Sequence, residues 1–408
     1  MQCRSCGAPL TRQILDLGAT PPANNLLKRE DQPETRYPLR LLACDCGLVQ
    51  TDIDLFRLDA DALFSASYPY FSSSHPAFVA HAKQYAGQMI EKLNLNKDSF
   101  VVEIGSNDGY LLQHFKARGI KVLGVEPTQT GGIAVEKGIE TLPVFFNEQW
   151  AERIASTYGP ADLVVCNNVL AHVPDINGFC RGVKTLLKSG LDGTGPGGMV
   201  TFEFPSLRHL VEGNQWDTVY HEHYSYLSFR TARDILKASG LWAFDVQHLQ
   251  THGGSLRVSA SAWGGRHHLE RSVLDELESE APLKSWDYFA SLQQSAECAA
   301  DELRCYLENA HDLGKRVAGF GAAAKGNTLL NYAGIDDRLL PYIVDDTPAK
   351  QGKFAPGSRI PIVAEFRGQP DAIVVLPWNW LPQIKTRLAD QIKAGAKLVT
   401  AIPTLEVH

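Results

Sequence analysis

The run Tyr220-His221-Glu222-His223-Tyr224 gathers imidazoles, a carboxylate and phenols within five residues. Imidazole titrates near neutral pH, so a histidine can remove or return a proton while a neighbouring carboxylate orients it. If the run is extended, Tyr220, Glu222 and Tyr224 share one side, and His221 and His223 share the other. A metal site would more naturally place two helical histidines four residues apart. The run therefore favours acid–base chemistry over a metal site or a surface cluster without a role.

Three further side chains are candidates for the same chemistry. His172, in Val169-Leu-Ala-His-Val-Pro, follows an apolar segment that resembles a strand. It is either a hydrogen-bonded core histidine or a member of the reactive group. Tyr68 and Tyr70 belong to a Tyr-Pro-Tyr-Phe-Ser-Ser-Ser stretch that joins two parts of the chain. Alone, these two tyrosines would more often be packing residues.

Residues 103–109, here called the donor loop, lie between an apolar strand and a helical pattern. The loop consists of Glu103, Ile104, Gly105, Ser106, Asn107, Asp108 and Gly109. Its glycines let backbone amides approach a ligand, and its acidic groups suit the cationic end of S-adenosylmethionine. A dinucleotide loop would have three glycines and a pyrophosphate at the helix N-terminus, where Asp108 would repel it. The loop therefore predicts a sulfonium donor, although ordinary turn glycines remain an alternative.

Two further segments extend the expected donor pocket. Glu126, followed by Pro127, ends the next strand about twenty residues on, where an acidic side chain can accept hydrogen bonds from ribose hydroxyls. Asn167 and Asn168 end a later strand, at the sheet edge where ligands of such folds bind. Either asparagine could instead cap a helix.

Four cysteines fall within the first 46 residues as two close pairs, Cys3/Cys6 and Cys44/Cys46. Four thiolates are the ligand set of a tetrahedral structural zinc ion, which leaves no open position for catalysis. A small module with little core also gains its fold from such a metal. The alternative is four unpaired or redox-active thiols.

The wider sequence supplies strands and helices that can position these residues. A helical pattern covers about residues 77–95, and a helix is also expected over residues 110–119. Strands are predicted at residues 100–105, 121–126, 161–168 and 199–204, which alternate with helices as in a parallel, doubly wound sheet. Residues 270–312 resemble a long helical connector, and a second strand-turn-helix unit begins at Lys315. We therefore predict an α/β fold: a zinc-binding module (1–66), a Rossmann-like methyltransferase domain (67–269), and the connector with a second Rossmann-like domain (270–408).

Composition and charge argue against nucleic acid and membranes as partners of this protein. The 408 residues include 44% hydrophobic and 21% charged residues, as in a folded globular protein. A formal charge of −7 argues against nucleic acid as the partner. No apolar run approaches the ~20 residues that span a bilayer, and the N-terminal residues lack the apolar stretch of a secretory signal. The expectation is a cytoplasmic protein with no membrane partner.

Five motifs in order resemble the sugar C-methyltransferases that make branched deoxysugars. They are the cysteine pairs, the tyrosine-rich join ending in Ser74, the donor loop, Tyr220–His223, and Gly319–Asn327. The resemblance implies S-adenosylmethionine, a structural zinc ion and a nucleotide-linked 4-keto sugar, typically dTDP-linked, between the middle and C-terminal domains. It makes His223 the general base, with Tyr220, Glu222, His172 and Tyr70 or Tyr68 around the sugar. The implied contacts to the nucleotide, phosphate and sugar or base are Gly321, Lys325, Asn327, Lys350 and Trp378.

Two other functions remain open at this stage. A dehydrogenase or epimerase could hold NAD at Gly319-x-Gly321, although Ala324 replaces the third glycine of that motif. A zinc-containing adaptor that only senses a nucleotide would need no catalytic base. The sequence leaves undecided whether the methylated carbon is C3 or C5, and it does not indicate the oligomeric state.

Overall fold

The computed structural model describes residues 1–52, 71–74, 76–190 and 197–408. Its strands are β1 (Arg12–Thr20), β2 (Tyr37–Ala43), β3 (Val49–Thr51), β4 (Phe100–Ile104), β5 (Lys121–Val125), β6 (Thr141–Leu142), β7 (Leu163–Asn167), β8 (Met199–Pro205), β9 (Ser225–Tyr226), β10 (Leu241–Leu249), β11 (Ser255–Ala262), β12 (Val317–Phe320), β13 (Ile343–Val344), β14 (Ile362–Val363), β15 (Ala372–Val375), β16 (Lys397–Thr400) and β17 (Glu406–Val407). Its α-helices are α1 (Pro76–Lys92), α2 (Leu112–Lys116), α3 (Thr130–Glu136), α4 (Glu148–Tyr158), α5 (Ile176–Leu186), α6 (Leu207–Glu212), α7 (Phe229–Ala238), α8 (Arg271–Ser279), α9 (Leu292–Asp312), α10 (Ala324–Tyr332), α11 (Leu381–Arg387) and α12 (Ala389–Lys393).

The N-terminal module is built on a four-stranded antiparallel sheet in the order β1-β2-β3-β9. Three of its strands come from the first 51 residues, and the fourth, β9, comes from far along the chain. In the β3–β9 pairing, Val49 lies opposite Tyr226 and Gln50 lies opposite Ser225. Because β9 directly follows the Tyr-His-Glu-His motif, the module's sheet holds the end of that motif.

The central sheet has seven strands in the order β6-β5-β4-β7-β8-β11-β10. The strands β6, β5, β4, β7 and β8 are parallel, while β11 runs antiparallel to both of its neighbours. The strand order reverses between β4 and β7, and ligands of open α/β sheets bind in the crevice beyond the strand ends at such a point. The donor loop follows β4, and Asn167 ends β7, so both lie at this crevice.

The C-terminal sheet has six strands in the order β14-β13-β12-β15-β16-β17, and like the central sheet it has a point at which the strand order reverses. Its first five strands are parallel, and only β17 is antiparallel to its neighbour. The order reverses between β12 and β15. Residues 321–323 leave β12 at this reversal and lead into α10. The second sheet therefore has a ligand crevice of its own.

The hydrophobic core joins the three units. One buried cluster contains Leu41 of the N-terminal sheet, Leu303 of α9 and Leu330 of α10. A second cluster combines Cys3 and Leu48 of the N-terminal module with the central sheet. The N-terminal module therefore packs against both Rossmann-like units rather than lying apart from them.

The α/β architecture expected from the sequence is confirmed, while several local expectations are wrong. The helix expected over residues 110–119 is limited to Leu112–Lys116, since Gly109 and Gly119 bound it with positive φ angles. The connector is two helices, α8 and α9, interrupted by short 3₁₀ turns around Pro282. Among the described helices, none has the length and apolar character to cross a membrane.

Candidate functional site

One large cavity of about 1390 Å³ is bordered by the ligand crevices of both Rossmann-like sheets. We call it the central cavity. Gly105 and Asn167 border it from the central sheet, and Gly321 borders it from the C-terminal sheet. His172 and His223 also line it. The predicted donor pocket, the predicted base and the predicted nucleotide loop therefore meet at one space.

The donor loop leaves β4 through backbone conformations that favour glycine. Gly105 has a φ of +70°, and a Cβ atom there would lie 2.5 Å from Val169 Cγ2. Asn107 also has a positive φ, of 48°, which asparagine tolerates better than most residues. Gly105 N–H donates to the Val125 carbonyl at 2.8 Å, which ties the turn to the adjacent strand. The loop backbone thereby approaches the central cavity without a side chain in the way.

Glu126 organises the donor loop from the end of β5. Its Oε2 accepts a hydrogen bond from the Asn107 backbone N–H at 2.9 Å, and its Oε1 accepts from Thr128 N–H at 2.9 Å. Glu126 and Pro127 both border the central cavity. Each carboxylate oxygen retains further acceptor capacity, so the side chain can hold the loop and still accept hydrogen bonds from ribose hydroxyls.

Buried polar atoms beside the loop have no partner within the described part of the chain. They include both carboxylate oxygens of Glu103 and the hydroxyl of Ser106. Burial raises the pKa of Glu103 well above its ordinary value, and the nearby Glu126 and Asp108 raise it further. Unsatisfied buried groups are costly and usually mark a site that a ligand completes. The residues at the loop therefore fit a polar, cationic ligand.

Asp108 has partners that sequence reasoning did not anticipate. Its Oδ2 accepts a hydrogen bond from Ser73, in the Ser-rich join, and lies 3.4 Å from Lys137 Nζ. Ser72 N–H donates to Asn107 Oδ1 at 3.0 Å. The join therefore docks on the donor loop. Tyr68 and Tyr70, earlier in the same stretch, lie outside the described residues.

Asn167 and Asn168 both border the central cavity. Asn168 has a φ of +55°, and its N–H donates to the Glu203 carbonyl of β8 at 2.8 Å. Asn167 Oδ1 is buried and has no hydrogen-bond partner among the described residues. The alternative of a helix cap does not apply, because Asp175 provides the side-chain cap of α5.

Residues 220–223 are not extended, the case considered from the sequence, because the backbone turns there. His223 N–H donates to the Tyr220 carbonyl at 3.0 Å, which closes a β-turn. The Tyr220 and His223 rings therefore lie together, with centroids 4.0 Å apart, rather than on opposite faces. His221 instead faces the N-terminal module, where its Nε2 donates to the Pro38 carbonyl at 3.3 Å. We call residues 220–223 the catalytic turn, after the role that the sequence analysis predicts for His223.

A hydrogen bond between His172 and the backbone of Glu222 holds the catalytic turn in place. His172 Nδ1 donates to the Glu222 carbonyl at 2.7 Å, so the neutral ring carries its lone pair on Nε2. The rings of His172 and His223 are edge to face, with centroids 4.6 Å apart. The Glu222 side chain is 1% exposed and is not among the residues that line the central cavity. Glu222 therefore supports the turn rather than forming the described cavity surface.

Burial sets the protonation of these histidines. It lowers the pKa of His223 well below the ordinary value of histidine, and the nearby His172 lowers it further. Burial likewise lowers the pKa of His172 to about 4. Both imidazoles are therefore neutral at pH 7, the form that can accept a proton.

The C-terminal wall of the central cavity carries positive charge. Lys325, at the start of α10, donates from Nζ to Asn379 Oδ1 at 2.8 Å, and Nζ lies 4.6 Å from the Trp378 ring centroid. Lys350 Nζ donates to the Ala322 carbonyl at 2.8 Å and lies 3.3 Å from Asp345 Oδ2. Gly321 has a φ of +83°, and a Cβ there would lie 2.6 Å from Pro377. Lysines and an α-helix N-terminus together suit a phosphate-bearing ligand.

Two predicted nucleotide contacts lie elsewhere. Asn327 is 1% exposed, and its Nδ2 donates to the Ala23 carbonyl of the N-terminal module at 2.7 Å. Trp378 donates from Nε1 to Asp217 Oδ2 at 2.7 Å, and it is absent from the described lining of the central cavity. Asn327 thus connects two units, and Trp378 forms a platform behind Lys325.

Some residues that line or support the central cavity were not predicted from the sequence. His252 borders it with a φ of +55°, its Nε2 has no partner in the described residues, and burial lowers its pKa to about 4. Asn24 of the N-terminal module also borders it. Burial raises the pKa of Asp217, behind Trp378, to about 6. The His252-Gly-Gly sequence was a usable signal, whereas Asn24 had none.

The four N-terminal cysteines meet at one point. Their sulfur atoms all lie within 4.8 Å of one another, and the Cys3–Cys46 and Cys6–Cys44 separations are 3.5 Å. Sulfurs ~2.3 Å from a tetrahedral zinc ion lie ~3.8 Å apart, so this cluster fits the metal with small adjustments. The short Cys44-x-Cys46 spacing is therefore compatible with a four-thiolate site.

Family models cover nearly the whole chain. One described as "Putative zinc binding domain" matches residues 3–55, and one described as "Methyltransferase domain" matches residues 78–243. A third, described as "C-methyltransferase C-terminal domain", matches residues 250–403. The C-methyltransferase NovU of Streptomyces niveus is 33% identical over 410 residues, which cover 98% of this chain and 95% of that protein.

Three other similar proteins match only part of this chain. A ubiquinone biosynthesis O-methyltransferase of Escherichia coli O7:K1 is 32% identical over 97 residues, 22% of this chain and 40% of that protein. An S-adenosylmethionine-dependent methyltransferase from Clostridium acetobutylicum superposes with a TM-score of 0.36 at 11% identity, covering 46% of this chain and 92% of that one. The 1,6-didemethyltoxoflavin-N1-methyltransferase of Burkholderia thailandensis gives a TM-score of 0.37 at 14% identity, covering 53% and 95%.

Proposed function

This chain belongs to the C-methyltransferase family and uses S-adenosylmethionine and a zinc ion, and from that premise we propose that it methylates a carbon of a nucleotide-linked 4-keto-deoxysugar. The nucleotide in this proposal is dTDP. The observation that carries the proposal is the central cavity, where a neutral histidine lies between a donor loop and a wall with lysines. A carbon acid, a methyl donor and a phosphate-bearing group would meet in such a space.

The position of the keto group limits the carbons that can react. Protons on the carbons next to a ketone are the acidic ones, because the resulting carbanion is delocalised as an enolate. For a C4 ketone these carbons are C3 and C5. We propose methylation at one of these two positions, with the ring orientation in the cavity deciding between them.

The first step in the proposed mechanism is removal of the carbon-bound proton by His223. The electron pair of the broken C–H bond moves into the enolate, whose oxygen requires hydrogen-bond donors. In this proposal Tyr220, whose ring lies against that of His223, donates from its phenol to the enolate oxygen, and His172 fixes the turn that carries both. The low pKa of His223 keeps it unprotonated, and a bound diphosphate would raise that pKa and strengthen the base.

The donor loop and the C-terminal wall position the two ligands. In the proposed arrangement, the loop from Glu103 to Gly109, with Glu126, Pro127, Asn167 and Asn168, holds the donor. Bound S-adenosylmethionine would supply an electrophilic methyl group: a C–CH3 bond would form at the carbanion carbon as the S–CH3 bond breaks, with S-adenosylhomocysteine as the leaving group. Alignment of the two reacting atoms would supply much of the rate. Gly321, Lys325 and Lys350 hold the nucleotide, and the proton on His223 is later released to water.

A substrate panel tests the proposal. The protein is incubated with methyl-labelled S-adenosylmethionine and with dTDP-, UDP- and GDP-linked 4-keto-6-deoxysugars, and products are mapped by NMR. We expect a labelled methyl group on C3 or C5 of the dTDP-linked sugar. Label on oxygen, or no transfer to any keto-sugar while S-adenosylhomocysteine still binds, would contradict the proposal.

A further inference from the structure

The loop after β1 brings the N-terminal module into the wall of the central cavity. Asn24 lines the cavity, and its backbone N–H and side-chain Nδ2 both donate to Glu222 Oε1, at 3.3 and 3.1 Å. On the other side, Asn327 Nδ2 donates to the Ala23 carbonyl at 2.7 Å. The Ala23–Asn24 segment is therefore fixed between the catalytic turn and α10.

Glu222 depends on Asn24 for its hydrogen bonds. The carboxylate is 1% exposed, and its Oε2 has no partner in the part of the chain that the structure describes. Both donors to Oε1 come from Asn24. A buried carboxylate that loses its donors either becomes protonated or moves to find others, since desolvation of the charge is costly.

Movement of Glu222 would be transmitted to the base. Glu222 and His223 are consecutive in the catalytic turn, and the Glu222 carbonyl accepts from His172. The His223 carbonyl in turn accepts from Thr51 Oγ1 of β3 at 3.1 Å. The N-terminal module thus contacts the turn through a backbone partner and through the Glu222 side chain.

We propose that Asn24 is a positioning residue of the active site, which orients Glu222 and thereby His223, so that the zinc module completes the catalytic centre. The inference rests on the proposed function, since it takes His223 to be the base. With Oε1 occupied by Asn24, Oε2 is the oxygen of Glu222 that remains for a further partner.

The titratable groups around Glu222 do not change charge near pH 7, so a shift in the pH dependence of activity reports on the ionisation of Glu222. Burial raises the pKa of Glu222, and the hydrogen bonds from Asn24 lower it. The titratable side chains on the turn and on the elements packed against it include His172, His221, His223, His252 and Tyr226. Burial lowers the pKa of each of these histidines and raises that of the tyrosine, so all five are neutral around pH 7. The cation of Lys325 also acts on His223, and Tyr220 is the first residue of the turn. Loss of the two Asn24 donors should therefore raise the pKa of Glu222. The acid limb of the pH–activity profile, where activity falls as the pH is lowered, should then lie at higher pH.

The experiment compares Asn24→Ala and Asn24→Asp with Asn25→Ala, an exposed neighbour, in the full-length zinc-loaded protein. We measure kcat and kcat/KM against pH with the keto-sugar that the wild type methylates, together with zinc content and S-adenosylhomocysteine affinity. We expect Asn24→Ala to lower kcat ~10-fold or more and to raise the pH of the acid limb, with zinc and ligand affinity unchanged. Asn24→Asp should shift the limb further, because a second carboxylate adjoins Glu222.

Crystal structures of Asn24→Ala and Asn25→Ala provide a readout that needs no sugar. We expect the Glu222 side chain and the catalytic turn to shift only in Asn24→Ala. An unmoved turn, or a wild-type pH profile in Asn24→Ala, would overturn the inference. If the wild type methylates no keto-sugar, the proposed function fails, while these structures still decide whether Asn24 orients Glu222.

Discussion

At the level of single residues, His223 lies against the rings of Tyr220 and His172, with centroid separations of 4.0 and 4.6 Å. These neighbours and the surrounding burial keep its imidazole neutral by lowering its pKa. Glu222, which precedes it, turns away and bonds to Asn24. The neutral state of His223 therefore comes from burial and its neighbouring rings, while the Glu222 carboxylate bonds to Asn24 and not to the imidazole.

Replacing the proposed base tests this arrangement. We expect His223→Gln to lower kcat by ~10²–10⁴-fold, the range typical of a lost general base. Affinity for S-adenosylhomocysteine, measured by calorimetry, should stay within about twofold, because the donor loop lies on another element. His268→Gln, which changes an exposed histidine, is the control. Turnover by His223→Gln near the wild-type rate would exclude His223 as the base.

At the level of elements, the sharp exit of the chain from β4 shapes the donor loop. Gly105 and Gly119 have nearly equal φ angles, +70° and +76°. They differ in surroundings, because a Cβ at Gly105 would lie 2.5 Å from Val169 Cγ2, whereas nothing lies within 4 Å at Gly119. Alanine substitutions at these two glycines therefore separate the loss of stability caused by a positive φ from the effect of a Cβ atom placed against Val169.

We expect Gly105→Ala and Gly119→Ala each to lose ~1–2 kcal/mol of stability through the positive φ. Only Gly105→Ala should also weaken S-adenosylhomocysteine binding, by about tenfold or more, because Val169 borders the central cavity and must move. Thermal unfolding and calorimetry measure the two effects. Equal affinities in the two variants would show that Gly105 does not form the donor site.

Local elements could be predicted from the sequence, whereas pairings between distant residues could not. Mostly apolar strands such as Val101–Ile104 and the glycines after them predict a parallel sheet and its loop, because local residue types determine both. The strand β9 has two residues and pairs with β3 from 175 positions earlier, so no local pattern indicates it. That pairing and the turn before it decide which side chains of residues 220–223 meet, so the sequence alone could not decide between an extended run and a turn.

At the level of the whole molecule, the central cavity requires all three units. The central sheet provides the donor loop, the C-terminal sheet provides Lys325, and the N-terminal module provides Asn24. The module's sheet also includes β9 and so holds the catalytic turn. In the proposed function the zinc ion therefore stabilises a sheet on which the turn of the proposed base depends.

Removal of a zinc ligand should therefore uncouple catalysis from donor binding. We expect Cys6→Ser to lose the metal, measured by elemental analysis, and to lose most turnover. S-adenosylhomocysteine affinity should fall only a few-fold, since β4 and β5 hold the donor loop independently. Cys298→Ser, at an exposed thiol of α9, is the control and should keep both zinc and activity. Full turnover without zinc would contradict the coupling.

Stability of the whole chain should fall on acidification, because its buried histidines are neutral. Burial lowers the pKa of His172, His221 and His252 to about 4, so below pH ~6.5 the unfolded chain binds protons that the folded chain does not. Asp217 and Glu280 act in the opposite direction, since burial raises their pKa values to about 6 and about 7. Burial also raises the pKa of Glu103 and Glu222, and it lowers the pKa of His114, His209, His223 and His267. In the described residues the seven histidines outnumber the four carboxyls, so the net loss occurs as the pH falls from about 6.5 towards 4.

His221 is the residue with which to test this balance, because it faces the N-terminal module rather than the central cavity. Urea unfolding at pH 7 and pH 5, at equal zinc occupancy, gives the change in unfolding free energy for each protein. We expect a smaller change for His221→Asn than for the wild type, by up to the contribution of one proton, ~1.4 kcal/mol for each pH unit. His268→Asn should behave as the wild type, because that side chain is exposed in the folded chain. An unchanged pH dependence in His221→Asn would mean that His221 is not held neutral by burial.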